Sequence, residues 1–174
     1  NVTVRSGWTT GELTGWIHGC ADADAIMGAL DASLNRCDVI LCSGGLGPTE
    51  DDITRESIGE LLGRPLAFRP ALYEEVVERF AVLRRVPTEN NKKQATLPEG
   101  AIAITNPNGT APGLIVEDER GIIICMPGVP HELKSMLVDS VLPYLKEKFQ
   151  IRGVVHSRVL KVCGLGESRV DDLI

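Results

Sequence analysis

The chain has 174 residues, 43% of them hydrophobic and 24% charged, with a formal net charge of −6. That length suits one domain with a sizeable core, and the acidic balance excludes generic binding to a nucleic-acid backbone, which needs clustered Lys and Arg. No apolar stretch reaches transmembrane length, no signal-peptide pattern opens the chain, and the five cysteines are scattered without metal-like or redox-like spacing, so a reduced cytoplasmic setting is expected.

Periodic Ala25, Ile26, Ala29, Leu30, Ala32 and Leu34 predict a helix over 22–34 with Asp22 as its cap. Residues 37–43 read as a strand that is apolar at successive positions, as in a parallel strand covered on both faces. A helix is expected over 49–62, with Thr49 and Asp52 spaced as a capping pair and Gly63 ending it. Another is expected over 70–83, with Leu72, Val76, Val77, Phe80 and Leu83 on one face. Residues 90–95 read as a helical turn and 101–104 as a short strand; the turn formers of 106–113 stop any regular element. Strands are expected over 113–116 and 121–126, and a long helix over 131–148 with Leu133, Met136, Leu137, Val141, Leu142 and Leu145 facing inward. Alternation predicts a last strand over 154–162, and Gly164 opens a turn into a final helix. Strands alternating with helices point to an α/β layered fold with a mainly parallel sheet. The first residue is not Met and the last ones read as a helix start, so a domain over 1–174 that is incomplete at both ends is expected.

Chemistry concentrates in the run Ser43-Gly44-Gly45-Leu46-Gly47-Pro48-Thr49-Glu50-Asp51-Asp52. Its glycines permit a sharp turn with bare N–H groups, and three carboxylates follow where a helix dipole favours negative charge. Backbone donors beside carboxylates suggest a phosphate together with its metal ion, because the phosphate alone would be repelled. The alternative is a tight strand-to-helix turn whose acids only cap the helix. Asp52 is the capping candidate, and Asp51 or Glu50 would then turn outward to a cation; Mg²⁺ suits one or two carboxylates plus phosphate oxygens and water. A second strand–loop–helix join, over 122–132, belongs at the same rim, and the 106–113 loop could close over it. There Gly128 and Val129 offer an amide pair to an anion. Glu132 reads equally as a cap or a catalytic group, while Asn90, Lys93 and Gln94 read better as a polar surface turn.

The Ser43–Asp52 run closely resembles the signature loop of the molybdopterin-binding (MoCF, MogA/MoaB/MoeA-like) domain superfamily. Lys93-Gln94-Ala95, the Asn106-Pro107-Asn108-Gly109-Thr110-Ala111-Pro112-Gly113 loop, Met126-Pro127-Gly128-Val129-Pro130-His131-Glu132-Leu133-Lys134 and Gly164-Leu165-Gly166-Glu167-Ser168 narrow the likeness to the amino-terminal domain of the CinA, competence/damage-inducible, branch. It covers the chain from about Asp22 onward. It departs over 1–20, where Thr9-Thr10-Gly11-Glu12-Leu13 stands without the Asn-Thr-Asn run that family members carry. The resemblance implies a three-layer α/β/α, molybdopterin-binding-like fold assembled as a homodimer or homotrimer. It also implies a small nucleotide or pterin ligand, with metal-dependent hydrolysis of ADP-ribose at its diphosphate, or alternatively molybdopterin binding and adenylylation, or binding without turnover. On that basis Asp51 and Asp52 are the expected catalytic residues, and Asp51 and Glu50 the expected ligands of Mg²⁺, Mn²⁺ or Co²⁺. Gly44, Gly45, Gly47, Thr49, Asn106, Gly109, Thr110, Ala111, Pro127, Gly128, Val129 and Glu132 are the expected substrate contacts.

Overall fold

Two runs rich in β-branched residues make the centre of the sheet: Val39–Ser43 (β5) and Gly121–Met126 (β10) pair in parallel, Ile122 opposite Val39 and Met126 opposite Ser43. The computed structural model describes residues 22–151, 163–164 and 169–170 with side chains, and the strands Val2–Ser6 (β1), Trp8–Thr9 (β2), Glu12–Leu13 (β3) and Trp16–Gly19 (β4) by backbone alone. The expected strand over 154–162 and most of the final turn and helix lie outside the described residues.

Successive apolar residues are explained by cover on both faces of the sheet. Ile40, Cys42, Ile123 and Cys125 point toward the helices Ala23–Leu34 (α1), Thr54–Leu61 (α2) and Pro70–Val82 (α3), packing with Ile26, Leu30, Ile58 and Leu72. Their neighbours Ile122, Ile124 and Met126 point the other way, onto Met136 and Val141. The result is three layers, helices on either side of one sheet.

The α/β class holds, but the sheet is mixed rather than mainly parallel. Its order is β4-β1-β5-β10-β9-β8, with β8 at Ile102–Ile104 and β9 at Gly113–Asp118. Among the described residues only β5 and β10 pair in parallel; every other pair in it is antiparallel. For β9 and β10 the reason is local: the Asp118–Gly121 connection is too short for a crossover and can only close a hairpin. A small ribbon of Leu66–Phe68 (β6) and Thr96–Pro98 (β7), not expected from the sequence, flanks the 3₁₀ turn Glu89–Ala95.

Two helical expectations change. In α3 only Leu72 and Val76 are buried, while Val77 and Leu83 are exposed. The long helix is interrupted: Pro130–Met136 (α4) passes through a π turn, Leu137–Val141, into Leu142–Lys148 (α5). Pro143 supplies the cause, since it offers no N–H and its ring crowds the carbonyl four residues back. The widened turn rotates α5 relative to α4, and Leu142 is exposed rather than inward.

Candidate functional site

Because β5 and β10 are parallel neighbours, Ser43 and Met126 end at one rim, the edge where ligands bind in open α/β sheets. The Gly44 N–H prolongs the ladder, donating to the Met126 carbonyl at 2.9 Å. Gly44 and Gly45 then turn with φ of 97° and 69°, values that a Cβ would strain. Thr54, buried at the start of α2, holds this turn from beneath. Its Oγ1 donates to the Gly44 carbonyl at 3.1 Å and its N–H to the Gly45 carbonyl at 3.3 Å. Gly128 approaches from the β10 side so closely that a Cβ there would sit 3.5 Å from the Gly44 Cα. Bare backbone therefore faces bare backbone across the rim.

The three glycine amides of the first loop are not equivalent, which corrects the expectation that all three hold a phosphate. Gly44 donates to Met126, and Gly47 lies against the Asp52 carboxylate, with which a Cβ there would collide, so that carboxylate faces any anion approaching it. A buried or half-buried amide already paired has nothing left to offer. Gly45, Gly128 and Val129 have no hydrogen-bond acceptor for their N–H groups among the described residues. These are the donors available to an anion, and Gly128 and Val129 are exposed while Pro127 beneath them is buried.

The acidic stretch also departs from expectation. The helix starts at Thr54, not Thr49, so Glu50, Asp51 and Asp52 lie in a turn ahead of it. Asp52 closes that turn: its Oδ2 accepts from the Thr49 N–H at 3.0 Å and the Thr49 hydroxyl at 2.6 Å, a local ring that replaces the first helical turn. Burial raises the Asp52 pKa, but bonds from Thr49 and Gly47 and the Arg55 charge outweigh it, and the carboxyl sits below its ordinary value. Thr49 and Asp52 thus serve the loop. Glu50 and Asp51 are exposed.

A depressed carboxylate pKa gives stability that is present above the unfolded-state value of about 3.9 and is lost as pH falls through the lower folded-state value. Asp52→Asn should therefore lower stability at neutral pH, flatten the acid limb of the stability curve and approach the wild type at its low-pH end. Urea midpoints followed from about pH 7 to about pH 2.5 check this; an unchanged acid limb contradicts it.

Two exposed carboxylates fit a divalent cation that also takes phosphate oxygens and water. Among the described residues no group of three or more His, Cys, Asp or Glu could hold a metal ion. A cation at Asp51 and Glu50 would need ligand oxygens to complete its shell. Beside them Lys93 is anchored, donating to the Thr49 carbonyl at 2.9 Å and pairing with Glu56 at 3.3 Å.

The third loop joins the rim through Asn106. Its Oδ1 accepts from the Asn108 and Gly109 N–H groups at 3.1 and 2.9 Å, and its Nδ2 donates to the Ala111 carbonyl at 2.9 Å and to Glu132 Oε2 at 2.7 Å. That is a full complement for one amide, so buried Asn106 shapes the loop instead of offering itself to a ligand. Glu132, in the first turn of α4, latches the loop to the β10 side. Gly109 lies so near that a Cβ would collide with the Glu132 carboxylate. Thr110 is half-buried and accepts from Gln94 Nε2 at 3.5 Å. Gln94 itself is buried, not part of a surface turn.

Two arginines hold loops in ways that their sequence surroundings do not announce. Arg55 is fully buried, and its guanidinium donates to the Leu46 and Gly47 carbonyls at 2.7 Å each. Burial lowers its pKa, opposed by Glu56, Asp52 and Cys125. Arg79 on α3 donates to the Pro107 carbonyl and, at 3.4 Å, to that of Gly109. The only signal in the sequence is an arginine soon after a turn-rich loop or on a helix facing one, and charged residues on helices are ordinarily solvated.

The family model described as "Probable molybdopterin binding domain" matches residues 17–147. A provisionally named competence-damage inducible protein of Thermoanaerobacter pseudethanolicus is 48% identical over 145 residues, covering 83% of this chain and 35% of that protein. One from Acetivibrio thermocellus is 46% identical over 143 residues, with 82% and 34% covered. The chain thus spans about a third of the length of these curated relatives. Among solved structures, the protein CinA of unknown function from Thermoplasma acidophilum is 33% identical with a TM-score of 0.63, over 75% of this chain and 73% of that one.

Proposed function

The chain belongs to the molybdopterin-binding domain family, and from that membership we propose that its three-loop rim binds a phosphate-bearing small molecule and hydrolyses the diphosphate of ADP-ribose or a similar dinucleotide. The observation that carries this reading is the meeting of Gly44, Gly128 and the Glu132-latched 106–113 loop at the carboxyl ends of β5 and β10. Gly45 would donate to one phosphate, and Gly128 and Val129 to the other. Asp51 and Glu50 would hold Mg²⁺, Mn²⁺ or Co²⁺, which when bound neutralises phosphate charge and acidifies water. Asp51 would take the proton of the attacking water at its carboxylate. Thr49, Asp52, Asn106, Arg55 and Arg79 keep the loops in shape without touching the ligand.

Incubation of the protein with ADP-ribose and each metal is expected to release AMP and ribose 5-phosphate, and EDTA to abolish the release. No release with any metal from folded protein overturns the hydrolase reading. A second reading, molybdopterin binding with adenylyl transfer, is favoured by the family description. It predicts tight pterin binding and no hydrolysis of ADP-ribose.

A further inference from the structure

The turn Glu89–Ala95 is a 3₁₀ helix of seven residues, longer than the three or four at which such runs usually stop. Three residues per turn bring every third side chain into line, so the segment from Thr88 onward has three faces. Thr88, Asn91 and Gln94 share the first. Asn91 Oδ1 accepts from the Thr88 N–H at 2.7 Å and the Thr88 hydroxyl at 3.0 Å, and Asn91 Nδ2 donates to Gln94 Oε1 at 3.1 Å. Asn91 and Gln94 are buried, so this ladder stiffens the run from within. Glu89 and Lys92 make the solvent face and pair at 2.6 Å. Asn90 and Lys93 make the third face, where they line a cavity of about 270 Å³ together with Thr49 and Glu50 of the acid turn.

Two adjacent residues of this rod hold two different loops. Lys93 Nζ donates to the Thr49 carbonyl at 2.9 Å and pairs with Glu56 at 3.3 Å, gripping the acid turn and the helix behind it. Gln94 Nε2 donates to Thr110 Oγ1 at 3.5 Å, on the 106–113 loop. That bond is the longest of the set, but the ladder fixes the Gln94 amide and its burial removes water as a competitor. The rod is tied down at its far end. The Ala95 carbonyl accepts from the Arg69 N–H at 3.0 Å at the start of α3, and the chain runs straight into β7, paired with β6. Among the described residues no hydrogen bond joins the acid turn directly to the 106–113 loop, so the polar link between them passes through Lys93 and Gln94.

We propose that Glu89–Ala95 is a strut that sets the spacing between the acid turn and the 106–113 loop and couples the two, with Lys93 and Gln94 as its positioning residues. One planar peptide joins these residues, so a shift at Thr49 is passed to the Gln94 amide and a shift at Thr110 to the Lys93 ammonium. Such coupling is reciprocal: a ligand that orders one loop orders the other. The consequence for catalysis rests on the proposed use of the rim, and the coupling itself does not.

Amide hydrogen exchange read by NMR on the full chain tests this without any ligand. Two buried amides report on the loops: Gly109, bonded to Asn106 Oδ1, and Thr54, bonded to the Gly45 carbonyl. Lys93→Met removes bonds to Thr49 and Glu56 alone, yet should speed exchange at Gly109 at least about fivefold, the low end of coupling between linked sites. Thr110→Val should speed exchange at Thr54 by a similar factor. Lys93→Arg and Thr110→Ser keep the donor and the acceptor and should restore protection. Once Gln94→Met has cut the link, adding Lys93→Met should change Gly109 no further. Acceleration confined to the loop that carries each substitution overturns the proposal. So does equal acceleration at Ile115 and Ile123 of the central sheet, since the turn then carries global stability and not position. Coupled exchange without ADP-ribose hydrolysis removes the hydrolase reading alone, and hydrolysis without coupled exchange removes the strut alone.

Discussion

Asp51→Asn is expected to lower kcat/KM for ADP-ribose by about 10²–10⁴-fold, the usual contribution of a positioned acid or base, with no change in thermal unfolding. The separation of the two effects follows from the turn that carries the residue. Asp51 is exposed, and the bond it makes in the fold is through its carbonyl, which accepts from the Ile53 N–H at 3.1 Å. Asn keeps that carbonyl and the side-chain shape while removing the charge that a cation and a proton both require. Asp52→Asn offers the contrast: it strikes the carboxylate that holds Thr49 and should disturb the loop first. Kinetics and melting curves on the two variants tell them apart. Full activity in Asp51→Asn would remove this residue from both metal and base roles.

Arg55→Met is expected to destabilise the fold by about 2–4 kcal/mol. Each carbonyl left without its donor costs about 1–3 kcal/mol, and here both Leu46 and Gly47 lose one. Relief of a fully buried charge offsets part of that sum, and Met keeps most of the volume. The same change frees the strand-to-helix turn, so nucleotide affinity should fall along with stability. Arg55→Lys should not restore the wild type, because an ammonium cannot reach two carbonyls as a planar fork does. Urea denaturation of all three proteins checks the energies. A loss below about 0.5 kcal/mol in Arg55→Met, the scale of an ordinary surface substitution, would show that the clamp is not needed.

Both predictions concern one loop, yet only one of the two residues is legible in the sequence. Asp51 stands out because its neighbours are glycines, a proline and two more acids, a local combination with few uses. Arg55 is invisible there: the carbonyls it binds lie eight and nine residues away, and nothing in its own surroundings marks it as buried. Arg79 is the same case at longer range, 28 and 30 residues from its acceptors. The meeting of the loops is legible for a better reason. Two apolar strands each followed by a glycine–proline loop and a helix imply a shared rim whatever the rest of the sheet does.

By itself the sequence determined the apolar strands, the glycine turn, the exposed acids and the layered α/β class, since each depends on residues adjacent or one helical turn apart. Tertiary structure decided the rest. It made the sheet mixed, because strand direction depends on how short connections close. It chose which amides remain for an anion, because Gly44 is claimed by Met126 and Gly47 is faced by the Asp52 carboxylate. It also buried Arg55 and filled the hydrogen-bonding capacity of Asn106. A hydrogen-bonding group has a fixed capacity, and whether that capacity is left for a ligand is set by partners distant in the chain.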